Sequence, residues 1–171
     1  MAKAHIHTGP HHTIPSTASP GLRFLKAFLP AMDSLNPSAD PLGQYLAPDA
    51  TFIINGGEPT FAETIVGMME MRSQRLKTFR RDLKRVWDVE MEDGSGRRVV
   101  MYESVSVTIF RDDPDEKAIE VAEFSTIELE PVDGGEGTGF AGFEGLAASV
   151  LKTFMDANPI MRRLKQIGMA I

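Results

Sequence analysis

Two stretches of alternating apolar and polar residues stand back to back in the middle of the chain. Along 98–111 the odd positions Val99, Met101, Val105, Val107 and Ile109 are apolar, and along 117–130 Ile119, Val121, Ile127 and Leu129 repeat the pattern. A period of 2 is that of a strand with one face buried. The acidic segment Asp112–Asp113–Pro114–Asp115 between them reads as a turn, so the pair is predicted to be a hairpin. One acid interrupts each apolar row, Glu103 in the first strand and Glu123 in the second. Folding the hairpin with residue 109 opposite 117 sets 103 opposite 123, although a slip of one residue would send both rows to the other face.

A third long strand is predicted over about 78–91. Its odd positions are Phe79, Arg81, Leu83, Arg85, Trp87, Val89 and Met91, an apolar face carrying two arginines, and the turn 92–96 leads into the hairpin. A turn centred near Ser95 puts Trp87 opposite Glu103 and Arg85 diagonal to it. Upstream, Ser19–Pro20 opens a helix whose Leu22, Leu25, Phe28, Leu29 and Met32 recur at helical spacing, with Pro30 expected to kink or divide it. A short helix over 42–46, a strand over 51–55 and a helix from a Thr60/Glu63 capping box to about Lys77 follow. Residues 132–145 are glycine-rich and read as a loop, 146–155 as a strand or a helix, and 160–168 as a terminal helix.

Residues 1–20 hold all four histidines among Pro, Thr, Ser and Gly, a composition that reads as a flexible tail ahead of a single domain over 21–171. No histidine is then left in the folded part, which removes imidazole bases and ligands from the expected chemistry. With 171 residues, 42% apolar and 25% charged, the chain is in the range of one soluble domain, and zero cysteines exclude disulfides and thiolate chemistry. A net charge of −6 speaks against a nucleic-acid partner. No apolar run is long enough to span a membrane and no signal pattern opens the chain, so the cytoplasm is the expected location.

The order of helices, short strand, capped helix and long antiparallel strands resembles the nuclear transport factor 2-like superfamily. The run QYLAPDATFIINGG resembles its passage from second helix to first strand, Arg72-x-x-Arg75-Leu76 before Phe79 resembles the end of its third helix, and FMDANPI resembles the end of its last strand. The resemblance spans about 21–160 and is nearest to SnoaL-like polyketide cyclases, isomerases and dehydratases. It implies an α+β fold: a cone-shaped, curved antiparallel sheet with N-terminal helices on its concave face, enclosing a pocket. It also favours a strand for 146–155. Where many such relatives carry a histidine early in the third strand, this chain has Phe79–Arg80–Arg81.

Two carboxylates on adjacent strands repel if both ionise, so one keeps its proton and the pair can act as acid and base. Glu103 and Glu123 are therefore the catalytic candidates, with Arg85 or Arg81 to stabilise an oxyanion; the alternative is a self-satisfied buried ion pair. Trp87, Arg81, Tyr45, Met101 and Val121 are the candidates to line a ligand pocket. The implied activity is cofactor-independent and metal-free proton transfer on a small apolar, oxygenated molecule. The competing reading is a ligand-binding or assembly module without chemistry. A homodimer is expected through the even face of the long strands, with Tyr102, Phe110 and Phe124.

Overall fold

A computed structural model of the protein describes residues 3–132 and 142–169. In chain order the elements are β1 (Ala4–Thr8), α1 (Pro20–Asp33), β2 (Leu46–Ile54), β3 (Thr60–Phe61), α2 (Ala62–Arg75), β4 (Leu76–Glu90), β5 (Arg98–Phe110), β6 (Ile119–Pro131), β7 (Leu146–Met155) and α3 (Asn158–Gln166). Single 3-10 turns lie at His11–Thr13 and Leu42–Tyr45. The strands form one sheet in the order β1-β4-β5-β6-β7-β2-β3. Every pairing is antiparallel except β2 with β7, which run parallel. The architecture is α+β, with the helices on the concave face of the sheet.

Helix α1 begins at Pro20 as the sequence predicts, and it continues through Pro30 to Asp33 without a break. The Thr60/Glu63 capping box does not form, because Thr60 pairs with Phe52 in the ladder and the helix starts behind Phe61. Residues 146–155 are a strand, held between β6 and β2. Much of the glycine-rich loop expected over 132–145 lies outside the described residues. Asn55 ends β2 with a positive φ of 53° and accepts a hydrogen bond from the Met155 amide at 2.8 Å, the turn role its residue type favours.

The flexible tail expected over 1–20 is corrected. Residues 4–8 pair with Val89 to Arg85 and so cover the free edge of β4, the Gly9 amide donates to the Lys84 carbonyl at 3.0 Å, and Ile14 is 1% exposed in the main core. Composition alone misses this because the segment contributes a strand edge and one anchoring side chain rather than an apolar face.

Both predicted strand registers are corrected: β5–β6 is off by one residue, while Trp87 stands opposite Met101 rather than Glu103, a shift of two set by a turn centred on Gly94, where the Met91 amide donates to the Arg97 carbonyl at 2.9 Å. Between β5 and β6 the partners are Glu103 with Phe124 and Ser104 with Glu123. The connecting loop is one residue out of phase with the assumed turn: Asp113 accepts the amides of Asp115 and Lys117, and Glu116 takes a positive φ of 48°. Between β4 and β5 a bulge falls between Leu83 and Arg85. An extra residue in one strand reverses the inside–outside alternation beyond it, so Phe79, Arg81 and Leu83 share the inner face with Val86 and Asp88, while Arg85 and Trp87 turn outward.

The inner face of β5 is thus the even one, with Tyr102 and Phe110 at 4% and 5% exposure. That removes both from the outer surface expected to dimerise. The main core joins α1, the Leu42–Tyr45 turn, α2 and the inner sheet, and a smaller cluster joins Leu76, Phe110, Ile119 and Val121 to Leu164 of α3.

Candidate active site

A cavity of about 200 Å3 opens where the two apolar clusters meet. Met32 of α1, Met68 and Met69 of α2, Phe52 of β2 and Ile160 of α3 form much of its apolar wall. Its polar wall is drawn from the sheet and α2: Arg81, Ser106, Thr108, Glu123, Thr153 and Arg72. The strands put these groups together because Arg81 stands opposite Ser106, Phe79 opposite Thr108, and Ser106 opposite Val121, one inward step from Glu123.

Arg81 is the hub. Its Nε donates to Glu123 Oε2 at 3.0 Å, its Nη1 donates to Asp33 Oδ1, and its backbone amide donates to Asp33 Oδ2 at 3.1 Å. Burial works against the Arg81 charge, but Asp33, Tyr102 and Glu123 outweigh it and hold the guanidinium protonated well above its ordinary range. Asp33, at the last residue of α1, is not in the cavity wall; it grips Arg81 from behind. Burial pushes the Asp33 carboxyl up, against the pull of Arg81 and Arg72. Glu123 is buried, and Arg81 takes only its Oε2, so among the described residues no hydrogen bond occupies Oε1.

Arg72 joins the wall from α2. Its guanidinium carbon lies 4.4 Å from the centre of the Phe79 ring, and that of Arg81 lies 5.0 Å from the same ring. Arg72 Nη2 donates to the carbonyl of Met32 and, at 3.3 Å, to that of Ser34. Burial, then the neighbouring Arg81, lowers its pKa to about 10.

Of the residues singled out in the sequence, the cavity contains Arg81 and Glu123. Glu103, Arg85, Trp87 and Met101 are not there: Arg85 pairs with Glu103 and Trp87 with Met101 on the outer face, a consequence of the bulge and of the hairpin register. The proposed Glu103–Glu123 dyad therefore does not form, since the two side chains leave opposite faces of the sheet. Tyr45 packs edge-on against Phe24 and Phe28, at 5.9 and 6.0 Å between ring centres, in the main core. Val121 lies in the smaller cluster under α3.

The sequence reading missed Arg72, Asp33, Ser106 and Thr108. For Arg72 a signal exists, because Ile65, Met68, Met69 and Arg72 fall on one helical stripe. The histidines belong to the folded part after all, on β1 and the turn behind it, yet none lines this cavity. Among the described residues no group of three His, Asp or Glu side chains is placed to hold a metal ion, and no helix is long and apolar enough to cross a membrane.

No family model matches the chain, and no curated protein matches its sequence. Solved structures do match its shape. A protein from Catenulispora acidiphila with a ketosteroid isomerase-like fold, solved in complex with trimethylamine, has a TM-score of 0.55 at 17% identity, over 90% of this chain and 96% of its own. The hexachlorocyclohexane dehydrochlorinase LinA-type3 of Novosphingobium barchaimii has a TM-score of 0.57 at 15% identity, over 78% of this chain and 82% of its own. A Shewanella putrefaciens protein assigned as a SnoaL-like polyketide cyclase has a TM-score of 0.56 at 12% identity, over 88% of each chain.

Proposed function

The chain has the fold of the nuclear transport factor 2-like superfamily, and from that premise we propose an enzyme of cofactor-independent proton transfer, of the isomerase, cyclase or dehydratase kind. Its substrate is a small apolar molecule bearing a carbonyl or hydroxyl oxygen. One observation carries this reading: Glu123 is a buried carboxylate in the wall of an apolar cavity, oriented by Arg81 through one oxygen with the other left to a ligand.

In this mechanism Glu123 takes a proton from the carbon beside the substrate carbonyl, and the electron pair of the broken C–H bond moves to the carbonyl oxygen. Arg81, with the hydroxyls of Ser106 and Thr108 beside it, stabilises the enolate in a site of low dielectric. The neutral Glu123 then returns the same proton to a different carbon, which isomerises the substrate, or protonates a leaving group, which dehydrates it. Asp33 is a positioning residue that keeps Arg81 charged and in place.

The test uses a nitro-substituted benzisoxazole, whose ring opens to a coloured phenolate when a base removes its one acidic C–H proton. The wild-type chain is expected to accelerate this above the rate with free acetate, and Glu123→Gln to lose about 10²–10⁴-fold. An equal rate for the two proteins rejects Glu123 as the base.

A homodimer belongs to the same proposal, now through the outer face of the sheet. There Phe124 stands opposite Phe154, at 38% and 47% exposure, and Ile6 opposite Trp87 at 63% exposure. The outward residues Val99, Met101, Val105 and Ile109 of β5 are only half-buried in the single chain, and a second copy on this face would cover them. A cytoplasmic setting and a role in secondary metabolism go with this reading.

A further inference from the structure

The two arginines of the cavity are not in the same position. Arg81 is engaged by two carboxylates, whereas among the described residues Arg72 is hydrogen-bonded only to the carbonyl oxygens of Met32 and Ser34, and its buried Nε has no partner there. A buried donor without a partner is unfavourable, and a guanidinium presents its donors as a planar fork suited to a carboxylate. Asp33 and Glu123 are hydrogen-bonded to Arg81 rather than to Arg72, whose Nη2 is turned to the two carbonyls, so among the described residues no carboxylate takes the remaining Arg72 donors. The Phe79 ring lies against the Arg72 guanidinium, whose central carbon is 4.4 Å from the ring centre. The remainder of the wall offers methionines and aromatic carbon, which adapt to an apolar body of variable shape.

We propose that Arg72 is the receptor for a carboxylate of the ligand, so that the molecule bound in this cavity is a small apolar carboxylic acid. The inference rests on the reading of this cavity as the ligand site. The volume of about 200 Å3 is below the range of drug-sized pockets and sets the ligand at the size of a short aliphatic or single-ring acid. Held at Arg72, such a ligand has its apolar body in the same cavity whose wall carries Glu123 and Arg81. Arg72 thereby acts on specificity and orientation, and Glu123 on the bond that breaks.

Calorimetry on the full chain decides this with two probes of matched shape, hexanoate and hexanamide. The expectation is that hexanoate binds at least about tenfold more tightly than the amide, as a charge-assisted hydrogen bond in a buried site allows. Arg72→Gln should abolish that preference, and Arg72→Lys, which keeps the charge and loses the fork, should reduce it. Equal affinities in the wild type, binding of neither probe, or an undiminished preference in Arg72→Gln each overturn the proposal. Should Arg72→Gln fail to fold, the wild-type pair and Arg72→Lys still decide. Glu123→Gln serves as the control that separates the two readings: it should keep the hexanoate preference while losing the ring-opening activity. If that activity is absent but the preference is present, proton transfer falls and the carboxylate site stands; the reverse result does the opposite.

Discussion

The carboxylate of Asp88, near the end of β4, accepts a hydrogen bond from the Gly21 amide at 3.0 Å and so caps the first turn of α1 from another element of the fold. The adjacent Ser19, an ordinary capping residue by type, makes no such bond. Asp88 is 0% exposed and is held by Arg98, whose Nε and Nη2 donate to its two oxygens at 2.8 and 3.1 Å. A Cβ at residue 21 would overlap that carboxylate, which explains a glycine in the first turn of a helix. Asp88→Asn breaks a buried ion pair and should destabilise by about 3–5 kcal/mol. Gly21→Ala should also lower stability, by displacing the same carboxylate. Urea unfolding of the two variants checks both, and wild-type midpoints would disprove the cap.

Ile14 links the first residues to the main core. Its side chain is 1% exposed and its carbonyl accepts from Lys26 Nζ at 2.5 Å, which ties the segment to α1. Ile14→Ala should cost about 2–5 kcal/mol, the range for truncating a buried aliphatic residue. Thermal melts should show the same direction of change when residues 1–14 are deleted. An unchanged midpoint in both would return this segment to the status of a dispensable tail.

These two anchors show where sequence reading succeeds and where it stops. Helix α1, the three long strands and the hairpin between them are legible because each has a face of one polarity repeated at a fixed period. Arg81 and Glu123 are legible as charges inside apolar rows. Arg85 and Trp87 share the parity of Arg81 in the sequence, but the bulge at Lys84 lies between them and nothing in the alternation marks it. Glu103 fails for a related reason: β5 has apolar residues on its outer face and a serine–threonine row on its inner one, so polarity alone selects the wrong side. Asp33 and Asp88 look like any helix-end or surface acid, since their roles depend on partners 48 and 67 residues away.

Acid should weaken the tie between the hairpin loop and α3. Asp113, in the hairpin loop, accepts from Arg163 Nε at 2.7 Å and also from its Nη2, and these bonds to Arg163 lower its pKa to about 2. A depressed carboxylate binds fewer protons when folded, so its contribution is complete above the unfolded value of about 4 and is lost as the pH falls through about 2. The stability difference between wild type and Asp113→Asn should therefore shrink on acidification across that window. Unfolding curves at stepped pH test this, and a difference independent of pH would mean the ion pair contributes nothing.

The outer face predicts an assembly. At micromolar concentration sedimentation velocity should find a dimer, and Phe124→Glu or Phe154→Glu should convert it to monomer by burying a charge with no partner in the contact. Arg85→Ala, on the same face, is the milder probe. A wild-type monomer, or a dimer indifferent to both glutamates, would move the contact elsewhere.

The two glutamates that the sequence treats alike stand on opposite faces of the sheet. Glu103 pairs across the ladder with the exposed Arg85 and Phe124 on the outer face, so Glu103→Gln should change stability by no more than about 0.5 kcal/mol and leave proton-transfer activity intact. Glu123→Gln keeps the shape of the side chain and removes the charge that faces Arg81. Because Asp33 still engages Arg81, the guanidinium is not left unpaired, and the loss should be nearer the 1–3 kcal/mol of a weakened charged hydrogen bond than the cost of an abandoned buried ion. Activity on the benzisoxazole probe should fall by orders of magnitude in that variant alone. Melting curves and initial rates on the same two preparations separate the possibilities. A large loss of stability in Glu123→Gln with its rate unchanged would make the residue structural; equal rates in both variants and the wild type would remove the cavity carboxylate from the chemistry altogether.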